Sequence, residues 1–192
     1  MISIPDFLWE RLLDEFARLN DPVERVAYLD GFRVGDQKVV TTVTIPDAEL
    51  HAGYYDVTSA AMSQAGQHFR TYGLARLGQV HTHGGPGCGH STRDDEAAYS
   101  QRIGSVSIVL PYHGQHRPHP TDGSVHIRRH EGWVALDTSQ ADAAVRLLPS
   151  LLDFRSQKWT VSSIATPEPS GTGLFQWIKR TVHRWWSRSR RN

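Results

Sequence analysis

The chain has 192 residues, 39% hydrophobic and 21% charged, with a formal net charge of +1. This is enough for one domain with a proper core, and no stretch approaches the roughly 20 apolar residues of a membrane span. A single cysteine, Cys88, excludes an internal disulfide framework and fits a reducing cytoplasm, and Asp6 and Glu10 break any secretory-signal pattern at the N-terminus.

Leu8, Leu12, Phe16 and Leu19 recur at helical spacing, so residues 6–19 predict an amphipathic helix with Asp6 as N-cap. Residues 25–34 and 38–46 are rich in β-branched and aromatic side chains around Gly35-Asp36, which predicts a hairpin. Residues 58–73 read as a second helix, capped by Thr58 and closed by Gly73. The apolar run 77-LGQVH-81 predicts a buried strand. A loop with five glycine or proline residues follows, and then 91-STRDDEAAYSQR-102, a helix start with Ser at the cap and acids in the first turn. Residues 105–112 predict a strand, 124–136 a hairpin turning at Glu131-Gly132, and 139–155 a helix that Pro149 must kink or divide.

The domain division predicted is 1–160 for the body, 161–173 for a Pro/Gly/Ser-rich linker and 174–192 for a basic, Trp-rich segment. Residues 173–192 hold six Lys/Arg and no acid, which leaves the remainder with 15 basic and 20 acidic residues. Phe175, Ile178, Val182 and Trp185 in this tail fall at amphipathic-helix spacing. Such a segment suits docking on its own domain or a protein partner, and also an anionic membrane surface or nucleic acid.

His81 and His83 flank one residue at the predicted end of a strand, where positions i and i+2 face the same side. Two imidazoles placed so can converge on one ion, and Zn²⁺ accepts imidazole nitrogen and carboxylate oxygen. Asp94 is the predicted third ligand and its neighbour Asp95 the rival; Ser91 and Asp94, three apart, share a helix face. A catalytic zinc also needs a proton acceptor, for which Glu24 at the head of the first predicted hairpin is the best placed carboxylate. His90 reads as an ordinary loop residue, and Cys88 as a small buried one.

His81-Thr-His83, seven residues, then Ser91-Thr-Arg-Asp94 resembles the signature of the JAMM (JAB1/MPN/Mov34) zinc metalloproteases, and Glu24 with Leu29 and Gly31 resembles the family's first-strand pattern. The likeness covers roughly residues 6–140; Ala27 stands where the family has glycine and Gly84 where proline is common. The resemblance implies an α/β chain of the α+β type, with the cytidine-deaminase-like JAB/MPN fold: a mixed, curved sheet flanked by helices. It implies Zn²⁺ held by His81, His83 and Asp94, proton shuttling by Glu24, and oxyanion stabilisation by Ser91. The implied activity is cleavage after the C-terminal glycine of a ubiquitin-like protein, with E1-like and E2-like partners in a bacterial, antiphage conjugation system. Release of sulfur-carrier proteins, a non-catalytic scaffold role and a DNA-associated role are the alternatives within the resemblance.

Overall fold

The computed structural model describes residues 1–98 and 100–154. The chain opens with β1 (Ile2–Pro5), runs into α1 (Asp6–Ala17) and forms the hairpin β2 (Val26–Val34) and β3 (Gln37–Thr44). A small antiparallel ladder, β4 (Ala48–Leu50) with β5 (Tyr55–Val57), precedes α2 (Ser59–Tyr72) and β6 (Ala75–Thr82). Then come α3 (Thr92–Ala97), β7 (Val106–Leu110), the hairpin β8 (Ser124–Arg129) and β9 (Gly132–Ala135), α4 (Thr138–Ala144) and β10 (Val145–Leu148). The main sheet has the order β10-β1-β3-β2-β6-β7-β8-β9. It is parallel at β10-β1, β1-β3 and β6-β7 and antiparallel at the other joints. This is the α+β architecture the sequence predicts, a mixed, curved sheet flanked by helices. No helix among the described residues is long and apolar enough to cross a membrane.

Local chemistry explains most boundaries. Thr58 Oγ1 accepts from Ala61 N–H at 3.2 Å and starts α2, and Gly73 at φ 65° ends it. Gly31 sits at a register shift between β2 and β3, where a Cβ would lie 2.0 Å from the Val39 carbonyl oxygen, so only glycine fits. Trp9, Leu12, Leu13 and Phe16 of α1 pack into one cluster with Ile2, Ile4, Leu29, Leu77 and Ile108 from the sheet. Full burial of each such side chain contributes about 1.5–3 kcal/mol.

Three expectations are corrected. Residues 2–5 form a strand before the first helix, and the N-cap of α1 is Pro5, with Asp6 as the first helical residue. The helix predicted over 139–155 ends at Ala144, and residues 145–148 become β10, paired in parallel with β1 from Ile2↔Val145 to Pro5↔Leu148. That ladder joins segments more than 140 residues apart, so tertiary pairing overrides the local helical pattern. The helix starting at Ser91 is six residues long.

The compact unit of the described chain is Met1–Leu152. The predicted linker and basic segment lie outside the described residues.

A buried ion pair ties the far half of β2 to β6. Arg76 Nε donates to Asp30 Oδ1 at 2.5 Å, Thr44 Oγ1 donates to Asp30 Oδ2 at 2.6 Å, and the Arg76 guanidinium stacks 3.6 Å over Tyr28. Burial pushes the Asp30 carboxyl up, against the pull of Arg76. Asp30→Ala leaves a buried cation without its anion, so the expected loss is about 3–5 kcal/mol, read from urea unfolding. A loss under about 1 kcal/mol would mean that Arg76 is satisfied without Asp30.

Candidate metal centre

β6 delivers the first two residues. His81 lies between Val26 of β2 and Val109 of β7 in the sheet and is 0% exposed. His83 follows the strand end and is held by its own backbone: its N–H donates to Leu110 O at 2.9 Å and its carbonyl accepts from His113 N–H at 2.8 Å. The glycine loop then turns the chain back to α3, where Asp94 occupies the third helical position. One ligand atom from each of His81, His83 and Asp94 lies within 4.8 Å of the others. His81 Nε2 is 3.3 Å from Asp94 Oδ1, and His83 Nε2 is 3.6 Å from Asp94 Oδ2.

The donor set fits a zinc ion. Two imidazoles and one carboxylate are the ligands of a three-residue site with an open fourth position. His83 Nδ1 lies 2.8 Å from Gly87 O, which can only accept; the proton is on Nδ1 and Nε2 is left free to ligate. Neither buried ring nitrogen of His81 makes a well-formed hydrogen bond among the described residues, and a metal bond would satisfy Nε2, the one that lies toward Asp94. Burial holds the His81 pKa down and keeps the ring neutral, as a ligand must be. Asp94 raises the His83 pKa. Burial opposes the Asp94 charge, but the two imidazoles and the Ser91 N–H prevail and hold its carboxyl well below the usual carboxylate range.

Ser91 is the N-cap of α3 and half of a capping box. Its N–H and its hydroxyl donate to Asp94 Oδ2 at 2.7 and 2.8 Å, and its oxygen accepts from Asp94 N–H at 3.1 Å. The box therefore both starts the helix and aims the carboxylate. Asp95, the rival ligand, turns instead to His90 Nδ1 at 2.8 Å.

Glu24 reaches the site through the fold. Thr82 N–H donates to Arg25 O and Arg25 N–H to Thr82 Oγ1, both at 3.0 Å, and Glu24 N–H donates to His51 O at 2.7 Å. This pins the head of β2 to the end of β6. Glu24 is 6% exposed, and its pKa is raised to about 7 by burial, with Asp94 adding and His83 opposing.

Three further residues belong to this region. Tyr55 of β5 has its ring 5.8 Å from that of His81, and beside it Arg93 stacks on Tyr54 at 3.9 Å and pairs with Asp56 at 2.7 Å. The small β4–β5 ladder thus forms a wall of the site. His90, expected as a loop residue, has a buried side chain: it bridges Asp95 to Ser107 Oγ and stacks on His126 at 3.8 Å. His113, at φ 57°, has its ring 3.1 Å from where a Cβ on Gly84 would stand. A side chain at position 84 would press against that ring.

No family model matches the chain, and no curated protein is similar to it at a significant level. Solved structures are similar to it. A protein of Desulfitobacterium hafniense, DSY2949, has a TM-score of 0.61 at 18% identity, covering 79% of this chain and 95% of its own. A JAB1/MPN domain protein of Archaeoglobus fulgidus, AF2198, has a TM-score of 0.44 at 17% identity, covering 77% of this chain and 97% of its own. At such identities the likeness to the Desulfitobacterium protein is one of fold alone.

Proposed function

We propose that the chain is a zinc metallopeptidase of the JAMM type, which cuts after the C-terminal glycine of a ubiquitin-like protein in a bacterial conjugation system. The observation that carries this reading is the convergence of His81, His83 and Asp94 within 4.8 Å, with the buried carboxyl of Glu24 beside them. A zinc ion held by those three residues would polarise the scissile carbonyl and lower the pKa of a water molecule. The chain supplies the rest. Glu24, with a pKa near 7, can take up a proton and return it to the departing amine at neutral pH. Ser91 orients Asp94. To stabilise an oxyanion as well, its hydroxyl would turn the proton now given to Asp94 toward the substrate, while its N–H keeps Asp94 in place.

The loop beside the ligands favours a slender substrate. A Cβ placed on Gly85, Gly87 or Gly89 would meet nothing within 4 Å, so the loop leaves open space that an extended, glycine-ended tail suits. E1-like and E2-like enzymes that load such a tail are the partners this activity requires. The test uses a ubiquitin-like protein fused through its terminal glycine to a reporter. Cleavage at the glycine is expected, lost on complete chelation and restored by one equivalent of zinc. Cleavage that survives in protein shown to be metal-free would overturn the proposal.

A further inference from the structure

The hairpin end of β2 and β3 carries a conflict that the metal centre does not explain. Arg33 and Lys38 stand directly opposite each other in the ladder. Cross-strand partners share a face, and like charges in that position are destabilising. Lys38 is nonetheless only 9% exposed, and Arg33 Nε and Nη2 are buried with no hydrogen-bond partner among the described residues. The turn before β7 adds a third cation, Arg102, whose charge acts on Arg33. Lys38 Nζ reaches the same turn, since a Cβ on Gly104 would stand 3.9 Å from it. Among the described residues, no carboxylate forms an ion pair with any of the three.

The chain's other recessed arginines, although they too have buried nitrogens without a hydrogen bond, each hold at least one acceptor. Arg25 donates to the carbonyls of Val23, Leu19 and Asp21, and Arg76 is held by Asp30. Burial lowers the pKa of both Arg33 and Lys38, so desolvation works against charges that nothing nearby offsets. From these observations we infer that Arg33, Lys38 and Arg102 form a binding site for a small, doubly charged tetrahedral oxyanion of the phosphate class.

The ligand class follows from the donors. Two planar guanidinium forks and one ammonium match several oxygens on one centre. A single carboxylate would leave two of three positive charges uncompensated, whereas a phosphate dianion offsets most of them. Recession of Lys38 and of the Arg33 nitrogens favours a small ion over a polymer backbone. Arg33 lies seven residues along β2 from Val26, the partner of His81, which is about 20 Å of strand. Occupancy should therefore leave the zinc content unchanged, and the inference stands or falls independently of the peptidase reading.

The experiment measures thermal unfolding of the full zinc-loaded chain at fixed ionic strength, in inorganic phosphate, acetate or chloride. A saturable rise in midpoint is expected in phosphate alone, since an ion that binds only the folded state stabilises it. Lys38→Met and Arg33→Gln should each raise the half-saturating phosphate concentration by about tenfold or more, the loss of one charge-assisted contact. Both should also raise the midpoint in phosphate-free buffer by removing the repulsion. Arg102→Gln, in an exposed turn, gives the same affinity test without touching the packed strands, and Arg11→Gln on α1 serves as a control. An equal rise in acetate, no rise in phosphate, or an undiminished phosphate effect in Arg102→Gln would overturn the site.

Discussion

Asp94→Asn is expected to weaken zinc binding by about a thousandfold or more while the protein still folds. Partners that only orient a ligand are worth 10–100-fold in metal affinity, and in the proposed site Asp94 is a ligand itself. It is also the only anion of the trio, so its loss leaves two neutral imidazoles at a strand end. Asparagine keeps the size of the side chain and an oxygen that can still accept from the Ser91 N–H, so α3 should survive. His81→Ala should lose metal to a similar extent, since it removes a fully buried imidazole whose Nε2 lies 3.3 Å from Asp94 Oδ1. Competition with a chromophoric chelator reads the affinity, and unfolding in zinc-free buffer checks the fold. Retention of zinc by Asp94→Asn together with its loss in Asp95→Asn would transfer the ligand role to Asp95. The 2.8 Å approach of His90 to Asp95 argues for the first outcome.

Glu24→Gln should lower cleavage by about 10²–10⁴-fold and leave zinc content unchanged, since the side chain moves protons and holds no metal in this reading. The same substitution should make the metal-free protein more stable at pH 8. The folded-state pKa of about 7 lies above the ordinary value of 4.5, so the folded protein holds this proton more tightly than the unfolded chain. Below pH 4.5 both states are protonated and the site costs nothing. As the pH rises from 4.5 through about 7 the folded state loses stability relative to the unfolded one, and above 7 the loss is complete. Glutamine is neutral at every pH. It should recover stability on the order of 1–3 kcal/mol at pH 8, with the gain fading toward pH 4.5. A variant that cleaves normally would assign the proton transfer to another group. A variant with lost activity but no gain in stability would mean that burial does not penalise the Glu24 charge.

Much of the fold is legible locally because short-range chemistry decides it. The Thr58 cap and Gly73 terminator bound α2, Gly35-Asp36 turns the first hairpin, and Ser91 starts α3 through contacts three residues away. The candidate metal trio is legible for the same reason. His81 and His83 share a strand-end face by backbone periodicity, and Ser91 and Asp94 are neighbours on one helical turn. What these short contacts leave open is how the two pieces meet, and the glycine loop between them has no local preference that would settle it.

Long-range pairing decides the remainder. Val145–Leu148 has a helical pattern in isolation and becomes a strand because it pairs with the edge of β1, in parallel register from Ile2↔Val145 to Pro5↔Leu148. Glu24 joins the centre because Arg25 and Thr82 bind each other across 57 positions. Tyr55, His90 and His113 reach the site from a two-stranded ladder, a loop and a left-handed turn, and no spacing in the chain announces any of them. The sequence by itself therefore determined which donor residues stand as the candidate metal set, which depends on residue types a few positions apart. Only the tertiary structure decided which acid, which wall and which unpaired cations accompany it, since burial and desolvation are properties of segments brought together from distant parts of the chain.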